Sequence, residues 1–389
     1  MTLPPRGFPI EEFKSRTARA QALMQDAQLD ALLLTTEAEV RYYTGYLTRF
    51  WESPTRPWYV VVPAIGDPIA IIPSIGAHLM GQTWIKDIRT WQAPDYRDDG
   101  VGLLLDTLKE VTPTDGQIGV ADQMESHLRM PLADFRKLED GLAARRIVGD
   151  AQITRRLRLV KSAAEVSKIK TATSIADRAF GRVSEIASAG TPLSVIFRDF
   201  QRLCLEEGAD WVPYLAGGAG QGGYGDVISP ATDAPLRLGD VLMLDTGLVW
   251  DGYFCDFDRN FAVGQPSKDV SRAHATLIEA TQAAFDIARP GTRISTLFHR
   301  MNDLVNPSQD GSDAGRLGHG LGMQLTEWPS IIPEDHTVLE AGMVLTLEPG
   351  INLPDGKIMV HEEDILITPQ GAEFLSSPQN ADIRVIPCN

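Results

Sequence analysis

Two short stretches of the chain concentrate carboxylates in a pattern suited to holding cations. VLMLDTGLVWDGYFCDFDRNF runs from Val241 to Phe261, and TLEPGINLPDGKIMVHEEDILIT runs from Thr346 to Thr368. Each places an Asp-Gly pair, Asp251-Gly252 or Asp355-Gly356, between apolar runs, the pattern of a two-residue β-hairpin. With the first tip at Asp251-Gly252, Trp250 faces Tyr253, Gly247 faces Asp256 and Asp245 faces Asp258. Cross-strand partners share a face, so the three aspartates project to one side. The same count on the second stretch puts Glu348 opposite Glu363, with His361 on that face opposite Gly350. Like charges directly opposite each other destabilise a sheet, so a cation, a proton or water must offset them. Water suffices for one such pair. Two such hairpins and a nearby histidine favour a hard-metal site.

That histidine is His319, in RLGHGLGMQLTEWP, where Gly318, Gly320 and Gly322 permit sharp turns and close approach to a ligand. Asp245, Asp256, His319, Glu348 and Glu363 form a five-residue ligand set. Such a set suits two divalent ions roughly 3.5–4 Å apart, bridged by carboxylates. Mixed carboxylate and imidazole ligands admit Mn, Fe, Co or Zn. Glu348 is the candidate catalytic base at such a centre, and His319 a candidate for both ligand and catalytic group.

Two domains are expected to carry these residues, 1–155 and 156–389, in a chain of 389 residues. The first reads as α/β: a helix over Glu11–Ala27, then strands at 31–35, Trp58–Val62 and Ala70–Ile72, a helix at Gly102–Val111 and a strand at 117–121. In the second, Ser162 and Glu165 form a capping box ahead of a long helix. A further helix begins at Thr191-Pro192, with Thr191 as its cap. Others cover Ser271–Ala288 and Ile294–Leu304. Helices flanking a curved antiparallel sheet make this domain α+β.

Net charge is −16, which argues against nucleic acid or an anionic membrane as partner. The three cysteines, Cys204, Cys255 and Cys388, lack metal or redox spacing, so a reducing cytoplasm is expected. Cys255 alternates away from the aspartate face and reads as core packing. The first residues do not read as a signal peptide. The most apolar stretch, YVVVPAIGDPIAIIPSIGA, is broken by Asp67 and prolines and reads as two strands rather than a membrane span.

From about Leu157 to the C-terminus the sequence resembles the pita-bread metallohydrolases: methionine aminopeptidase, aminopeptidase P, prolidase and the metal-free creatinase. The matching pieces are LDTG at Asp245, GYFCDFDR around Asp256, GHGLG at His319, LEPG at Glu348 and HEEDILIT at Glu363. The resemblance implies a pita-bread catalytic domain behind a creatinase-type N-terminal domain, and a homodimer. It also implies that Asp245 and Asp256 bind one ion, His319 and Glu348 the other, and that Asp256 and Glu363 bridge. The implied activity is hydrolysis of a small amide or peptide, as in an Xaa-Pro dipeptidase or aminopeptidase.

The chain departs from that pattern at several positions. The peptidases carry a second histidine seven residues after the ligand histidine; here Thr326 stands there, followed by Glu327. Their histidine ahead of the first aspartate has no counterpart. Asp258 occupies a position usually held by Thr, and reads either as a sixth carboxylate or as the salt-bridge partner of a neighbour such as Arg259. His361 stands where aminopeptidase P has an Arg, two residues before the last Glu, and could orient Asp256 or Asp258. Tyr42 to Tyr59 holds Arg49, Trp51, Arg56 and Trp58. This stretch reads either as an aromatic-anchored surface loop or, as in creatinase and prolidase relatives, as a lid. A lid would cap an organic cation with Trp51 and clamp a carboxylate with Arg49 or Arg56. Tyr214–Tyr224 is glycine-dense and reads as a flexible pocket wall, its end tyrosines facing substrate. These features keep a second reading open: a metal-dependent enzyme acting on a small zwitterion, such as dimethylsulfoniopropionate lyase or ectoine hydrolase. A non-enzymatic binding module is a third, opposed by the intact ligand set.

Overall fold

The computed structural model of the chain describes residues 3–53, 56–308 and 315–386; Cys388 lies outside them. It divides into two compact units, Pro5–Arg158 and the chain from Leu159 onward.

The N-terminal unit contains the strands β1 (Ala31–Leu34), β2 (Tyr59–Pro63), β3 (Ile69–Pro73), β4 (Asp87–Trp91), β5 (Gln117–Val120) and β6 (Arg146–Gly149). They form one mixed sheet in the order β4-β3-β2-β1-β5-β6. Strands β1 to β3 are buried along their whole length, which is why ALLL, YVVV and IAII are continuous apolar runs rather than alternating ones. Helix Val101–Val111 places Leu104 and Leu108 in one apolar cluster with Tyr59, Val61 and Ile118.

Several described side chains of the Tyr42–Tyr59 stretch have partners in the N-terminal unit. Trp58 is buried and packs on Tyr46, Phe50 and Trp51. The face of Trp51 already carries a cation, the guanidinium of Arg129 at 5.2 Å from the ring centroid. Arg56 donates to the Ala93 carbonyl at 2.6 Å, and Arg49 pairs with Glu52 at 2.6 Å. This is the aromatic anchor of the two sequence readings. Within this chain the cation that lies over Trp51 is Arg129.

In the C-terminal unit, helix Ala163–Gly181 starts on the expected capping box. Ser162 accepts from the Glu165 amide, a cap that contributes about 1 kcal/mol. Helix Leu193–Glu206 starts one residue later than expected: Pro192 is the N-cap and Thr191 makes no capping bond. Helices Lys268–Phe285 and Ile294–Val305 follow. Around them lie β7 (Trp211–Gln221), β8 (Asp240–Trp250), β9 (Tyr253–Phe254), β10 (Phe257–Val263), β11 (His319–Gly320), β12 (Glu327–Ser330), β13 (Val344–Leu347), β14 (Gly350–Leu353), β15 (Lys357–Val360), β16 (Glu363–Thr368), β17 (Gly371–Phe374) and β18 (Arg384–Ile386). They pair as β18-β10-β8-β7 with β9 beside β8, as β12-β11-β13-β16-β17, and as β14-β15.

The glycine-dense stretch is not a loop. It is most of β7, paired antiparallel to β8 so that Ala216 faces Asp245. Backbone pairing overrides the low strand propensity of glycine, and one glycine is sterically required. A Cβ on Gly217 would lie 2.3 Å from the Met243 carbonyl oxygen. Gly217→Ala is therefore expected to push β7 off β8 and to cost about 1–3 kcal/mol. Urea unfolding measures this, and an unchanged midpoint would contradict it.

The two hairpins differ. At Asp251-Gly252 both residues have positive φ, 49° and 76°, as a two-residue turn requires. Trp250 pairs with Tyr253 and Asp245 with Asp258, as the sequence predicts. The second hairpin is shifted by one residue. Leu353 pairs with Lys357, leaving Pro354-Asp355-Gly356 as a three-residue loop. A two-residue turn would need an N–H from Pro354, which proline lacks. Glu363 therefore faces Leu347 rather than Glu348, and Val360 rather than His361 faces Gly350.

Candidate metal centre

Strands β8 and β10 deliver the first carboxylates. Asp245 and Asp258 are direct cross-strand partners, and Asp256 lies in the irregular link between β9 and β10. The Asp256 amide donates to Asp364 Oδ2 at 3.1 Å, so a carboxylate behind the site fixes the chain there. His319 opens β11 after Gly318, whose φ is 140° and whose Cβ would lie 2.3 Å from the Thr346 carbonyl oxygen. This close approach of two backbones brings His319 onto the carboxylates. Between β13 and β14 the pairing breaks: the Glu348 amide donates to Leu317 and the His361 amide to Pro349. That break places Glu348 and Glu362 outside regular strand alternation.

Ligand-capable atoms of Asp256, His319 and Glu362 lie within 4.8 Å of one another. His319 Nε2 is 3.4 Å from Asp256 Oδ2 and 3.8 Å from Glu348 Oε1. Its Nδ1–H donates to the Gly320 carbonyl at 2.8 Å, which leaves the Nε2 lone pair facing the carboxylates. Asp245 Oδ2 accepts from the Tyr214 hydroxyl at 3.0 Å. Among the described residues, Asp245 Oδ1, Asp256 Oδ1, Glu348 Oε1 and Glu362 Oε1 are buried with no hydrogen-bond partner. An uncompensated buried carboxylate costs several kcal/mol. These free oxygens around one neutral imidazole fit divalent cations.

The adjacent glutamates have exchanged their expected roles. Glu362, which the sequence reading passed over, joins the cluster. Glu363 turns away and is neutralised. It accepts from Arg259 Nη2 at 2.9 Å, from the Gln379 amide at 3.0 Å and from the Ser376 hydroxyl, and lies 3.2 Å from His361 Nε2. The cause is the shifted hairpin, since a one-residue slip turns a side chain to the other face. His361 spans Glu363 and Asp258, with Nδ1 3.5 Å from Asp258 Oδ1.

The other sequence-selected residues divide similarly. Glu327 is committed to other contacts: it accepts from the Met323 and Gln324 amides and pairs with Lys161 at 3.2 Å, while its charge still acts on His319. Tyr224 is buried, and its hydroxyl is taken by the Val360 backbone and by Asn260. Thr326 does approach the site, because it accepts from Arg316 Nη2 at 3.3 Å. Arg316 was missed. Its Nε stands 3.6 Å from Glu348 Oε1, and its side chain keeps 37% of its exposure. Its place three residues before His319 was the available signal.

Burial and mutual repulsion raise the carboxylates. Asp245 is pushed up to about 8 by burial and by Asp258. Glu348 is pushed up to about 7, chiefly by burial. Asp256 and Glu362 are raised well above the usual range by burial and by neighbouring carboxylates. Burial lowers His319 to about 4, and Arg316 adds to this. Burial would also raise Glu363, but Arg259, His361 and Ser376 outweigh it and hold it at about 2.

Residues 167–369 match the family model for metallopeptidase family M24, and residues 16–160 match that for the creatinase/prolidase N-terminal domain. The chain belongs to metallopeptidase family M24, with a pita-bread catalytic domain behind a creatinase-type domain. Among its relatives is a probable dipeptidase PepE of Mycobacterium tuberculosis, 30% identical over 378 residues, 94% of this chain and 95% of that protein. The dipeptidase PepE structure from Mycobacterium ulcerans is 27% identical, with a TM-score of 0.84 and coverage of 98% and 100% of the two chains. The prolidase structure from Thermococcus sibiricus shares the fold at a TM-score of 0.85 and 22% identity, covering 96% and 99%.

The electrostatics give a pH test. Raised carboxylate pKa values mean that the folded protein holds more protons than the unfolded chain between the two values, so stability falls as pH rises through that interval. Above about pH 6.5 unfolded histidines are neutral and no longer oppose the trend. Metal-free protein should therefore lose stability from about pH 6.5 to about pH 8.5, the window set by Glu348 near 7 and Asp245 near 8. Divalent cation should flatten the trend. Thermal unfolding in chelator against pH measures it, and rising stability across that window would contradict it.

Proposed function

We propose that this protein is a dinuclear metal-dependent dipeptidase that hydrolyses the amide bond of short peptides with a free carboxylate. The observation that carries the reading is the buried cluster of Asp256, His319 and Glu362, with partnerless oxygens on Asp245, Asp256, Glu348 and Glu362 around it. The dipeptidase and prolidase relatives support it. Asp245, Asp256, His319, Glu348 and Glu362 would hold the ions. When bound, two divalent cations supply a water of lowered pKa and Lewis acidity toward a substrate carbonyl.

The chain's own groups do the rest. Tyr214 fixes Asp245 through its hydroxyl, and the Gly320 carbonyl fixes the His319 tautomer. Burial pushes Glu348 up to about 7, so this carboxylate can take a proton from the attacking water and return it to the leaving nitrogen. Arg316 stands at the partly exposed side of Glu348, oriented by Thr326, where it can pair with a substrate carboxylate. A cytoplasmic homodimer using manganese is part of this proposal, supported by the family resemblance and by the free thiols of Cys204 and Cys255. No helix among the described residues is long and apolar enough to cross a membrane.

The test is a product assay on Mn²⁺-loaded protein with a chelated control. It offers proline-containing and proline-free dipeptides beside dimethylsulfoniopropionate and ectoine. Chelator-sensitive release of amino acids is expected. Turnover of a zwitterion with every dipeptide untouched would overturn the reading. Two variants separate the glutamates. Glu362→Gln should remove bound metal and activity in a folded protein, whereas Glu363→Gln should lower the melting temperature and retain metal. The reverse pattern would return the ligand role to Glu363. Arg316→Met should raise KM for dipeptides about tenfold or more, the scale of one charged hydrogen bond, with little effect on a dipeptide amide. Equal effects on both substrates would remove Arg316 from carboxylate binding.

A further inference from the structure

Asp258 is a buried carboxylate beside this centre that the ligand set above does not use. It is 1% exposed, and neither Oδ1 nor Oδ2 has a hydrogen-bond partner among the described residues. It stands directly across from Asp245, whose Oδ1 is also partnerless. Facing side chains on adjacent strands are about 4.5–5.5 Å apart at Cβ, close enough for one cation to touch both carboxylates. On its other side Asp258 meets His361 at 3.5 Å, and His361 reaches Glu363 at 3.2 Å, which Arg259 anchors at 2.9 Å. Arg259, Glu363, His361 and Asp258 form a chain of contacts that ends on a carboxylate opposite Asp245. Metal-ligating carboxylates are oriented by outer partners of this kind.

We propose that Asp258 is a further carboxylate ligand of the metal centre, sharing a cation with Asp245 and held in place by His361. The inference rests on the metallopeptidase reading. Its chemical consequence is selectivity. With Asp258 the centre offers five carboxylates and one imidazole, an oxygen-rich set that suits hard cations such as Mn²⁺ and narrows the usual advantage of Zn²⁺. The rival role for Asp258 is purely structural, as the counter-charge of His361.

The two roles predict opposite signs in the metal-free protein. A ligand carboxylate facing Asp245 repels it when no cation is present, so its removal should stabilise. A structural partner of His361 should destabilise when removed. The experiment is competitive Mn²⁺ and Zn²⁺ binding to wild type, Asp258→Asn and Asp258→Thr, followed by calorimetry and metal analysis, with melting temperatures recorded in chelator. The ligand role predicts Mn²⁺ affinity weakened about tenfold or more, Zn²⁺ affinity changed less, and a metal-free melting temperature equal to or above wild type. Folded variants with wild-type Mn²⁺ affinity and stoichiometry would overturn the inference. Should neither variant fold, an anomalous-difference map of Mn²⁺-loaded wild-type crystals tests the same point. A manganese peak bonded to an Asp258 oxygen sustains it, and peaks bonded only to the other carboxylates overturn it. A wild-type protein that binds no divalent ion would sink the metallopeptidase reading itself.

Discussion

Asp245 and Asp258 face each other across neighbouring strands in the interior of a sheet, and Asp256, Glu348 and Glu362 gather beside them. The chain itself does little to neutralise this group. His319 is kept neutral by burial and by Arg316, so it offers a lone pair rather than a charge. Buried like charges at this spacing repel strongly, because little water remains to screen them. Burial and mutual repulsion therefore push Asp245, Asp256, Glu348 and Glu362 toward the protonated form. The helices and strands around the site are heavily apolar, which allows the fold to tolerate this local cost. Leu242, Leu244, Leu248 and Trp250 on β8 are buried with Phe257, Phe261 and Cys255 in one cluster. Each such side chain contributes about 1.5–3 kcal/mol.

Glu362 and Glu363 show how narrow the boundary of the site is. They are consecutive and both buried, yet one is raised well above the usual carboxylate range and the other is held at about 2. Glu363 faces Arg259, Ser376 and the Gln379 amide, a fully bonded environment that favours ionisation. Glu362 faces other carboxylates. Asp364 then turns back beneath the site and holds the Asp256 amide. Three successive acidic residues thus face a cation site, a buried arginine and a backbone amide.

The first hairpin was legible because its turn and register depend on local chemistry. Asp251-Gly252 accepts positive φ at both positions, and apolar alternation on either side leaves one register. The second hairpin has the same Asp-Gly signal, but Pro354 precedes it and cannot donate. The loop gains a residue, and a parity count carried over from the first hairpin selects the wrong glutamate. The break at Glu348-Pro349 was equally invisible to periodicity, because it depends on Leu317 accepting the Glu348 amide from a distant segment. Tyr214–Tyr224 misled for a related reason: glycine composition suggests a loop, whereas pairing with β8 makes most of it a strand. Composition also could not show that Arg129 lies over Trp51, a contact between positions far apart in the chain.

Arg316 joins the electrostatics of the centre to its substrate side. It lowers the pKa of Glu348 and Asp256 against the pull of burial, and it lowers that of His319 as well. A single partly exposed cation therefore moves the carboxylates toward their charged form and the imidazole toward its neutral form. Both are the states in which these groups bind metal. Thr326 stands where the peptidases of the resemblance carry a histidine, and its hydroxyl accepts from Arg316. An imidazole there would bring a titrating group to the mouth of the site. Threonine brings none and orients a permanent cation. At this position the chain has replaced a group that can exchange a proton with one that fixes charge.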